Sequence, residues 1–193
     1  LSFRLLKESP KWSAVKIDQK QQSNSLKLLF SGKHAMELFY GSAIFGCMLI
    51  GLWAIFSWLP TWIQSLITTG DGQQERGMSM MIMGMGGLAG GAISGWVLKW
   101  TSAKKALLIC FGVCALASVL LFKANDVFHP VVYAEIAMIA FFFGISQGVL
   151  SVYIPALFPV EVRGAGTGFC FNSGRIITAT AVLFVAILVT VLG

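Results

Sequence analysis

The sequence predicts an all-α fold, a polytopic membrane helix bundle of about five transmembrane helices, and three observations carry that expectation. Hydrophobic residues make up 56% of the 193 positions and charged ones only 11%, too little polar surface to cover a soluble domain of this length. The apolar residues are gathered into runs of about 20, the length a helix needs to cross about 30 Å of hydrocarbon. The strict alternation over about 10 residues that marks a transmembrane barrel is absent.

Residues 1–37 read as a polar, basic loop, since half of the 14 Lys and Arg lie at or before Lys33. Within it Leu26, Leu28, Leu29 and Phe30, beside Lys27 and Lys33, suit a short interfacial helix with snorkelling lysines. Residues 38–193 form the bundle, with spans expected at about 38–67, 77–98, 105–122, 130–153 and 164–189. The polar breaks Asp71–Arg76 and Lys99–Lys105 separate the first three. Glu135 interrupts the fourth run and Arg175 the fifth.

Basic residues in short loops set orientation, because the more basic side stays cytoplasmic. With the N-terminal segment inside, Lys99, Lys104, Lys105 and Arg163 are inside too, and only Arg76 and Lys123 remain outside. An odd number of spans then leaves Gly193 outside directly after an apolar run, so a further helix is expected beyond it. The net charge of +6 therefore reports topology and the inner membrane of a cell, with no nucleic acid as partner. Cys47, Cys110, Cys114 and Cys170 fall inside apolar runs without metal-ligand spacing, so they read as small packing residues. No metal and no cofactor is expected.

In the second run Gly87, Gly91 and Gly95 recur every four residues, with Gly86 and Gly90 one residue behind, so another helix can approach that stripe closely. Arg175 lies about 16 Å into its run, near the midplane, where a charge costs at least ~2.5 kcal/mol unless it faces protein or water. With Asn172 one turn earlier, its guanidinium can take a carboxylate in a bidentate grip; a purely structural Arg satisfied by neighbouring carbonyls is the alternative. Glu135, Phe142, Ser146 and Tyr153 fall within about 20° of one line on the fourth helix, and Trp53, Ser57 and Gln64 within about 40° on the first, stripes suited to a cavity wall or to bundle packing. Gln147 points elsewhere on the fourth helix. Glu135, only about 8 Å into its run, is a candidate for proton or ion coupling or an interfacial acid. No nucleophile and base share a span, which argues against an enzyme.

The run Tyr153-Ile-Pro-Ala-Leu-Phe-Pro-Val-Glu-Val-Arg163-Gly-Ala-Gly166, continuing to Asn172-Ser-Gly-Arg175, resembles the junction of the tenth and eleventh helices of major facilitator superfamily transporters, most nearly the sugar and metabolite:proton symporters. Glu8-Ser-Pro-Lys-Trp12 is similar to the element after the sixth helix of that branch. The resemblance implies helices seven to eleven of twelve, a central cytoplasmic loop over 1–37, and a missing N-terminal half-bundle as partner. It also implies alternating access for a small polar solute of sugar or organic-acid type, with ion coupling. Two motifs depart from the family: Ala156 stands where an acid is usual, and Lys99 and Ser102 replace the Asp and second Gly of the loop between the eighth and ninth helices. The family latches its cytoplasmic side through such acids, so Glu161 is expected to pair with Arg163 or with a lysine of Lys99–Lys105. The departures also keep in view a non-transporting sensor or assembly subunit on the same scaffold.

Overall fold

The structure, a computed structural model, describes residues 29–30, 32 and 34–192, the last eight by backbone alone. The expected loop and interfacial helix of residues 1–37 lie mostly outside the described residues. Five helices follow: α1 (Ala35–Leu66), α2 (Gln73–Trp100), α3 (Ala103–Ala124), α4 (Val131–Ala156) and α5 (Arg163–Leu192). The fold is all-α, and each helix covers one apolar run of the sequence, extending up to four residues beyond it. By length and composition α1 to α4 are each able to cross a membrane.

Local chemistry sets the joints. Gly70 and Gly72 adopt φ of 91° and 62°, left-handed conformations that only glycine takes without strain, and they turn the chain from α1 into α2. Ser102 caps α3, its Oγ accepting from the Lys105 amide at 3.4 Å. The α3–α4 connection is fastened to α1 by the Phe128 amide donating to the Leu66 carbonyl at 3.1 Å. Pro130 opens α4, where a missing N–H costs nothing, and Pro155 lies in its last turn.

Packing divides the bundle into two units. α2 and α3 both lie against α4, α1 lies against α5, and contacts between the two groups are far sparser. The α2–α4 seam is backbone on backbone: a Cβ added at Gly90 would run into the Phe141 carbonyl, one at Gly144 into the Gly87 carbonyl, and one at Gly148 into Ser94 Oγ. The glycine stripe is thus a close helix crossing, as expected, but Gly95 at its end meets nothing within 4 Å. With no hydrophobic force between helices in lipid, such close van der Waals contact supplies the attraction. The α1–α5 pair uses the same device more loosely, with Gly41 against Cys170 and Gly46 against Gly174. Thr178 Oγ1 donates to the Gly174 carbonyl at 2.8 Å and lies 3.5 Å from the Gly46 carbonyl. Leu59 and Ile63 of α1 meet Leu121 of α3 and Ile136 and Ile139 of α4 in the buried core that joins the units.

Candidate functional site

A cavity of about 400 Å³ opens between α1 and α5, lined by Leu49, Trp53, Arg175, Thr178, Ala179 and Val182. Leu49 and Trp53 stand one turn apart on α1. Arg175, Thr178 and Val182 follow the spacing of one face of α5. Trp53 is 45% exposed, and its ring stacks edge-on with Phe56 at a centroid distance of 5.4 Å. Arg175 is exposed, and among the described residues its guanidinium makes no hydrogen bond and no ion pair. Among the described residues the cavity therefore presents one cation without a protein partner, one indole and mostly aliphatic walls. Chemically that combination suits a small anion with an apolar body, a guanidinium being able to take the charge and an indole to cover a ring or chain.

The remaining residues selected from the sequence do not join this wall. Asn172 lies one turn before Arg175, exposed, and its Nδ2 donates to the Gly168 carbonyl of its own helix at 2.8 Å. Ser57 is exposed one turn beyond Trp53. Gln64 stands about 16 Å from Trp53 along the axis. There its side-chain oxygen would lie 3.1 Å from a Cβ at Gly72, so it belongs to the α1–α2 turn. Ser146 has no exposed surface, and its Oγ donates to the Phe143 carbonyl at 2.8 Å, so it packs in the core and lines no cavity. Gln147 is exposed on α4, in the other packing unit. Glu135 is half-buried at the start of α4 and accepts from Asn125 Nδ2 at 2.8 Å, the same amide donating to the Leu121 carbonyl at 2.9 Å.

The expected latch pair is corrected. Among the described residues Glu161 pairs with neither Arg163 nor Lys99, Lys104 or Lys105. Arg163 folds back instead, its Nε donating to the Phe158 carbonyl at 3.3 Å, and Glu161 is exposed in the turn that Pro159 begins. Thr178, Val182 and Leu49 were not selected from sequence. Their spacings of three and seven residues from Arg175 and four from Trp53 are the signal that could have found them. A second groove of about 460 Å³ between α1, α3 and α4 is lined by Cys47, Met48, Cys114, Ala115 and Phe143 among others, and holds none of the selected residues.

A bundle of long apolar helices built around glycine crossings defines an integral membrane protein. The chain belongs to the Major Facilitator Superfamily, whose pattern matches residues 1–188. It is similar to the "Niacin transporter NiaP" of Acinetobacter baylyi, 27% identical over 82% of this chain and 35% of that protein. It is also similar to the "Probable 4-methylmuconolactone transporter" of Cupriavidus pinatubonensis, 28% identical over 88% of this chain and 39% of that protein. The chain thus spans little more than a third of the length of these curated relatives. Both relatives are transporters by name. No solved structure matches the chain.

Proposed function

We propose that this chain supplies half of the translocation path of a secondary transporter for a small organic acid, with Arg175 gripping the carboxylate and Trp53 covering the apolar body. The observation that carries the reading is the shared cavity: a guanidinium with no protein partner among the described residues and an indole, on two helices, against otherwise apolar walls. A guanidinium in such surroundings is costly unless an anion or water compensates it. The relatives named for niacin and a methylmuconolactone favour a small ring compound over a sugar. A sugar would call for several uncharged hydrogen-bonding groups, and this wall offers Thr178, whose hydroxyl is already bonded to its own helix.

Transport by alternating access then requires a second half-bundle, from the same polypeptide, to close the cavity from the opposite side. The excess of Lys and Arg on one side favours an inner-membrane protein with its N-terminal segment cytoplasmic. Ion coupling belongs to the same proposal, with Glu135 as the candidate acid. The test is uptake of labelled niacin and other small carboxylates by the full-length transporter in vesicles. Arg175→Ala abolishes uptake while membrane expression stays intact, and Arg175→Lys retains part of it as a point charge without the bidentate fork. Undiminished uptake by Arg175→Ala makes the residue structural and sinks the reading.

A further inference from the structure

We propose that the α2–α3 turn is a docking surface for anionic phospholipid headgroups, with Lys99, Lys104 and Lys105 meeting the phosphates and Trp96 and Trp100 seated in the interface beside them. The inference goes beyond the solute site, which lies on α1 and α5, and does not depend on it.

Charge comes first. Lys99 stands in the last turn of α2, Lys104 and Lys105 in the first turn of α3, and all three are exposed. Between Glu75 and Asp126 the sequence contains no acid, so the only carboxylates of this helical hairpin lie at its far end. Among the described residues none of the three lysines is ion-paired. Nor does α3 carry an acid in its first turn, where one would complement the helix dipole. The turn consequently gathers three positive side chains with no carboxylate of the hairpin beside them, while the positive end of α3 is offset by the negative end of α2.

The aromatic residues indicate which anion fits. Trp100 is 92% exposed and Trp96 68% exposed, unusually bare for indoles. They lie four residues apart and hence about 6 Å apart along the axis, on one face of the helix. Lys99 projects between them in sequence. An indole pair staggered by that depth at the end of an apolar helix is the arrangement that sits at headgroup level, apolar body toward the acyl chains and N–H toward water. A soluble anion would account for the lysines but not for the two bare indoles set beside them. A lipid surface accounts for both at once, and charge complementarity requires an anionic one.

The full chain is reconstituted in phosphatidylcholine vesicles containing brominated phosphatidylglycerol or, separately, brominated phosphatidylcholine, and tryptophan quenching is compared. A Trp96→Phe/Trp100→Phe double variant identifies the part of the emission that belongs to these two residues. The expected result is quenching of that part by the anionic lipid about three-fold or more above the neutral one, a preference that falls as salt is raised. Lys99→Gln/Lys104→Gln/Lys105→Gln removes the preference, and the matching Lys→Arg triple variant keeps it. Should the Gln variant not fold, the salt series on the unaltered chain decides. Equal quenching by the two lipids, a preference indifferent to salt, or one that survives in a folded Gln variant overturns the proposal. Abolition of the preference by millimolar glycerol phosphate overturns it too, in favour of a soluble-anion site.

Discussion

Gly144 of α4 lies against the backbone of Gly87 of α2 with no room for a methyl group between them. Gly144→Ala is therefore expected to force the two helices apart at a cost of about 1–3 kcal/mol, the usual range for overpacking. Gly95→Ala, where the added methyl meets nothing within 4 Å, is expected to be neutral or slightly stabilising. Unfolding in a mixed-micelle denaturant series compares them, and equal effects of the two substitutions would show that the seam is not what limits stability.

In the proposed site Trp53 offers the solute an aromatic surface, a contact of a kind worth about 1–1.5 kcal/mol. In the full-length protein Trp53→Ala should raise the KM for a ring carboxylate about five- to ten-fold, while Trp53→Phe keeps most of the affinity. Initial uptake rates over a concentration series check this, and an unchanged KM in the Ala variant removes Trp53 from the site.

Ser146 resembles a cavity residue in sequence, yet its hydroxyl is spent on the Phe143 carbonyl inside the core. Ser146→Ala should leave uptake unchanged, because the lost bond is local and no group is left buried without its intrahelical partner. A substantial loss of uptake would put this face of α4 back into the path.

Asn125 bridges two helices, donating both to the Leu121 carbonyl and to Glu135. Asn125→Ala should destabilise the α3–α4 end by about 1–2 kcal/mol. Glu135→Gln should cost less, since an amide oxygen still accepts from Asn125. Protection of amides around the end of α3, measured by hydrogen exchange, distinguishes the two variants.

Fold class and the number of helices were legible because an apolar run of sufficient length admits few alternatives in lipid, where every backbone group must be satisfied within its own segment. The site was legible only where one residue carried the argument. Arg175 announces itself by its cost, and the helical wheel put Trp53 on a side of α1 that lines the same cavity. Angle alone misled at Gln64 and Ser146. A helical wheel records direction but neither depth nor neighbour, and Gln64 lies at the end of α1 while Ser146 faces the packed core of α4. The latch pair failed for a similar reason. Arg163 is near Glu161 in sequence, but a carbonyl of its own chain lies within reach of its guanidinium.

The sparse contact between the α1–α5 pair and the α2–α3–α4 group gives the solute site an uneven footing. Both side chains proposed to hold the solute stand on the smaller unit, so their separation is set by the Gly46–Gly174 crossing and is insulated from the glycine seam of the larger one. A substrate that needs a wider or narrower grip can be accommodated by resetting a single crossing. The α2–α4 backbone then serves as a fixed frame that substitutions around Arg175 and Trp53 leave untouched, and solute preference and fold can diverge independently.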